Sequence, residues 1–135
     1  MELLTYSRSA YLLNASLESL HVESREWINE MDFLKDEVAF FHHLIKKNET
    51  IKSFPAQEFK ALENELILIG NKVGKMREKV SSHEQQLAAL FKTTQVEEEE
   101  AFRKTHRKLL LEMYDLHYLV RKFKKNVYSF VKNYE

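Results

Sequence analysis

The chain has 135 residues, enough for one domain with a core of its own, and 44% of them are hydrophobic. Lys plus Arg number 21 and Asp plus Glu number 21, so no net charge steers the molecule towards nucleic acid or anionic lipid. The absence of cysteine excludes disulfides, zinc–thiolate sites and cysteine nucleophiles, and two glycines with one proline are too few for a turn-rich β fold.

The first residues, Met1 to Tyr6, lack a basic segment followed by an apolar core, so no signal peptide is expected. The longest fully apolar run is Leu66 to Ile69, far short of a membrane span. A cytoplasmic location is the expectation that follows.

From Leu3 onwards apolar residues recur at spacings of three and four. One series runs Tyr6, Leu13, Leu20, Trp27, Leu34, Phe41, with Ala10, Leu17, Ser24, Met31, Val38 and Ile45 between its members. Such spacing puts the side chains on one stripe of a helix and predicts a first helix over about 3–47. Ser16, Ser19 and Ser24 weaken helix propensity locally, so a break near Ser24 is an alternative, as is a fold-back of the first twenty residues.

The segment around residues 48–54 reads as a loop. Ser53 is a candidate cap, and Pro55 suits the first turn of a second helix over about 55–91. That helix has its own stripe, Phe59, Leu66, Val73, Val80 and Leu87 interleaved with Leu62, Ile69, Met76, His83 and Leu90. Gly70 and Gly74 within it mark close packing or a soft point.

Thr94-Gln95-Val96-Glu97 has capping-box spacing, and the acidic run Glu97 to Glu100 suits the positive end of a helix dipole. A third helix is therefore predicted over about 95–132. Its stripe is Phe102, Leu109, Leu116, Phe123 and Phe130, interleaved with His106, Met113, Val120, Val127 and Tyr134. Each stripe must be buried against the others, and short connections make neighbours antiparallel. The predicted fold is all-α: an elongated antiparallel up-down-up bundle of three long helices, in a single domain spanning 1–135. In outline it is similar to elongated three-helix repeats of the spectrin type, a likeness of architecture that no motif carries.

Four groups of residues are candidates for function. His83 and His106 occupy stripe positions equally far from the turn near Thr94, so they should face one another across the second and third helices. Two facing imidazoles are metal-ligand candidates if a third ligand joins them. The alternative is a hydrogen-bonded pair in the core, at the level of Leu20 and Ser24, with His21 well off the stripe. Glu30 and Glu37 fall within the apolar arc of helix one, and Glu112 within that of helix three. The spacing Glu18-Ser19-Leu20-His21 lies off the stripe, so a di-iron arrangement is not supported. The hairpin register instead pairs Arg77 with Glu112 as a structural ion pair.

The stretch from Arg121 to Lys132 interleaves basic residues with aromatics, as in some RNA or membrane-surface binders. Phe123, Val127 and Phe130 continue the stripe, however, and matching to the acidic first helix is the simpler account. Finally, Leu111, Tyr114 and Tyr118 leave the stripe of helix three, while Phe33, Phe40 and Leu44 widen that of helix one. These six are the expected interface residues.

No phosphate-binding glycine loop, nucleophile elbow or His-Glu-x-x-His is present. The expectation is a non-enzymatic coiled-coil-like interaction or scaffold module that self-associates or binds a protein partner, with no cofactor. A metal-binding or ferritin-like protein using His83 and His106 is the alternative. A weak nucleic-acid or membrane-surface binder through the basic end of helix three comes after it.

Overall fold

The computed structural model describes residues 16–49, 55–92 and 96–133. They form three helices, α1 (Leu17–Glu49), α2 (Ala56–Leu90) and α3 (Val96–Asn133), as the stripes require. Among the described residues there is no strand, and no helix is long and apolar enough to cross a membrane.

The start of α1 departs from the sequence expectation. The helix begins at Leu17 because Ser16 caps it. Its hydroxyl accepts the Ser19 N–H at 3.1 Å, and its carbonyl accepts the first helical bond from Leu20. Residues 3–15, with stripe members Tyr6, Ala10 and Leu13, lie outside the described residues, as do Ser53 and Thr94. No break occurs at Ser24, which is fully buried within an unbroken α1. Packing overrides its weak propensity there. Pro55 stands one position earlier than expected. It is the N-cap of α2, and its carbonyl accepts the Phe59 N–H at 3.1 Å.

The three stripes make one core. Leu20, Met31, Leu66, Val80, Leu87, Phe123 and Val127 are its most enclosed apolar members. The backbones of α1 and α2, and of α2 and α3, approach most closely. Helices α1 and α3 run parallel at a wider spacing, joined by side chains: Phe41 meets Phe123 edge-on at 5.7 Å. His117 reaches Glu30 at 2.8 Å and Lys124 reaches Glu37 at 2.9 Å, both pairs 87 residues apart. The acidic flank of α1 is thus matched to the basic flank of α3.

The Arg77–Glu112 pair does not form. Arg77 holds Asp32 of α1, with Nε 2.6 Å and Nη2 3.5 Å from its two oxygens, and Glu112 accepts from Lys79 at 3.2 Å. The expected α2–α3 register is right, since His83 does meet His106, but the flank is wrong. Arg77 and Glu84 follow stripe residues and face α1, where Glu84 lies 2.8 Å from His21 though off the hydrogen-bond direction. Lys75 and Lys79 precede stripe residues and border α3. Which flank of a helix meets which neighbour depends on the handedness of the bundle, and a stripe pattern carries no handedness.

Candidate interaction face and buried polar layer

At the level of Leu20 the core becomes polar. His83 Nε2 and His106 Nδ1 are 2.9 Å apart, and His106 Nε2 is 2.9 Å from Glu23 Oε1. All three are enclosed: His106 is 0%, His83 1% and Glu23 7% exposed. Aromatic rings close the layer. Trp27 stacks on His106 at 4.5 Å, and Phe102 lies parallel to His83 at 4.0 Å. Two atoms in it are buried without a hydrogen-bond partner, Ser24 Oγ and His83 Nδ1.

The tautomers follow from the chain of contacts. A carboxylate accepts only, so His106 donates Nε2–H to Glu23. Its Nδ1 then carries a lone pair and accepts Nε2–H from His83. His83 Nδ1 is left as a buried lone pair. Burial, and then the neighbouring His106, push the His83 pKa down to about 4.

This arrangement bears on the metal alternative. The facing nitrogens of His83 and His106 are taken up by their mutual hydrogen bond, and the remaining nitrogen of His106 by Glu23. Among the described residues no group of three or more His, Asp or Glu side chains is disposed to hold a metal ion. Glu23 is the member that the stripe pattern misses. It flanks the stripe, seven residues before Glu30 and fourteen before Glu37, and that repeat of carboxylates was the available signal.

The second feature is the outer surface of the α1–α3 seam. Phe33 and Phe40, seven apart on α1, are 63% and 62% exposed. On α3 the residues Arg107, Tyr114, Arg121 and Tyr128 repeat at intervals of seven and so share one face. Tyr114 borders the seam beside Trp27 and Glu30, Arg121 borders it beside Phe33, and the Tyr128 ring lies 6.1 Å from that of Phe41. The result is an exposed face of aromatic rings and guanidinium groups, the side chains most enriched at binding hot spots.

Of the six expected interface residues, Phe33, Phe40 and Tyr114 are exposed, and Phe33 and Tyr114 border the α1–α3 groove. Leu111 and Tyr118 are exposed but take no part in the α1–α3 groove. Leu44 is half-buried and packs against the core. The basic end of α3 keeps Phe123, Val127 and Phe130 buried, while Tyr128 is exposed. No family model, no curated protein and no solved structure matches the chain.

Proposed function

We propose that the protein is a non-enzymatic interaction module that self-associates through the outer face of α1 and α3. The observation that carries this is the exposed ladder of Phe33, Phe40, Tyr114, Arg121 and Tyr128. From Arg107 to Tyr128 it extends roughly 30 Å, at 1.5 Å per residue. Two helices side by side at that length offer an area approaching the roughly 800 Å² per partner of a specific interface.

Charge favours a second copy in antiparallel alignment. The surface of α1 starts acidic, with Glu18, Glu26 and Glu30 against Arg25, and ends with Lys46 and Lys47. Helix α3 starts with Glu97 to Glu100, and from residue 117 to 133 it has Arg121, Lys122, Lys124, Lys125 and Lys132 with no acidic residue. A two-fold axis perpendicular to the helices sets the acidic start of each against the basic end of its mate.

The test is size-exclusion chromatography with light scattering on Phe33→Glu combined with Tyr114→Glu. Loss of the dimer with helicity retained is expected. Leu111→Glu with Tyr118→Glu, further from α1 on the outer surface of α3, is expected to disturb assembly less. An unchanged mass in the Phe33/Tyr114 variant would show that this face is not the interface.

A further inference from the structure

We propose that the Glu23–His106–His83 layer is a proton-operated latch, which holds the α2–α3 hairpin end against α1 and releases it when the imidazole pair takes up one proton. The proposal is independent of self-association.

Proton counting in the layer carries it. With two ring protons in total, the pair has one at His106 Nε2, directed to Glu23, and one at His83 Nε2, directed to His106. A third ring proton has two ways to sit. It leaves a bare N–H at His83 Nδ1, which has no hydrogen-bond partner among the described residues, or it sets N–H against N–H across 2.9 Å. Either arrangement strands a donor inside the core.

Charged groups from every packed element surround the layer. Helix α1 presents Glu23 and, at the flank, His21, which lies beside Glu84 of α2. Helix α2 adds Glu78 and Lys79 along the groove that His83 borders, and α3 adds Lys108 and Glu112 there. Lys79 is committed to Glu112, and Arg103 of α3 to Glu99. Among the described residues only Glu23 reaches the imidazole pair by a hydrogen bond, and it does so at His106, the ring further from the orphan nitrogen.

The opening is local because the unit beyond the layer is small. Among the described residues, the buried apolar ones towards the hairpin end are Leu20, Leu87, Leu90 and Phe102, and Phe91 and Val96 at the end itself are two-thirds exposed. Every other described core residue lies at the level of Trp27 or beyond it. Segments with few buried contacts open without global unfolding.

The sign follows from His83. Its folded pKa of about 4 lies below the unfolded value near 6.5. Its neutral form therefore stabilises the closed end fully above about pH 6.5, and that contribution is lost as the pH falls from there towards 4. One proton makes the opening constant rise by at most about tenfold per pH unit.

The experiment is amide hydrogen exchange on the full chain from pH 8 to 5, corrected for intrinsic exchange rates. Amides at 80–90 and 99–109 are expected to lose protection by up to about tenfold per pH unit below about 6.5, while those at 62–73 and 113–127 hold theirs. His83→Gln, which keeps a donor to His106 but cannot titrate, is expected to abolish the dependence. Equal loss in both halves, no loss in either, or an unchanged dependence in the variant would each overturn the latch. If the variant does not fold, wild-type imidazole ¹⁵N spectra decide. A third ring proton that appears together with the opening supports the latch, and one gained in a closed hairpin end refutes it.

Discussion

Glu23 and His106 form the most enclosed carboxylate–imidazole contact among the described residues, with the carboxylate side chain 9% and the imidazole 0% exposed. Removing His106 takes a donor from an enclosed carboxylate, and a hydrogen bond to a charged group is worth about 1.5–3 kcal/mol. His106→Leu is therefore expected to lower the unfolding free energy by about that much at pH 7.5. His83→Leu removes an unpartnered nitrogen along with a hydrogen bond, and its cost should be the smaller. Urea midpoints at a common slope would give the order, and a larger loss for His83→Leu would contradict the chain of donors drawn from Glu23. Arg77 and Asp32 form the surface counterpart. The Arg77 hydrogen bonds hold the Asp32 carboxyl below the usual carboxylate range, but both side chains are about half exposed, so salt should screen the pair. The facing of His83 and His106 was legible in their spacing from the turn. The role of Glu23 was not, because a flanking carboxylate with solvent and one with a buried imidazole leave the same sequence pattern.

At the scale of the helix, the stripes determined nearly everything about which residues are enclosed. Leu116 is typical, 4% exposed between α2 and α3. Leu116→Ala is expected to cost about 2–5 kcal/mol, measurable by denaturant unfolding. The two glycines of α2 separate by context. A Cβ on Gly74 meets nothing within 4 Å, whereas one on Gly70 touches Val38 Cγ1 at 3.4 Å. Gly74→Ala should then stabilise by about 0.5–1 kcal/mol, the helix-interior difference between the two residues, and Gly70→Ala by less. Equal or reversed shifts in melting temperature would contradict the placement of Gly70 against α1. Helix ends were less legible than helix faces. The Ser16 cap lay within a pattern that continues unbroken towards Leu3, and periodicity alone does not register a hydroxyl accepting an N–H.

For the whole molecule, three long helices in one antiparallel sequence follow from stripe number and loop length. What the stripes left open was the hand of the bundle, and with it every flank-to-flank contact. That is why Arg77 meets Asp32 instead of Glu112. The outer face of α1 and α3 has the aromatic and guanidinium content of an interface, and the ends of the helices have the charges for an antiparallel mate. Self-association through it is the central functional claim. The most direct measurement is the mass of the unmodified protein in solution, by sedimentation equilibrium from about 1 to 100 μM at physiological salt. A mass of two chains, weakening at high salt as the end-to-end charges are screened, is the expected result. A single-chain mass across the whole range would contradict it.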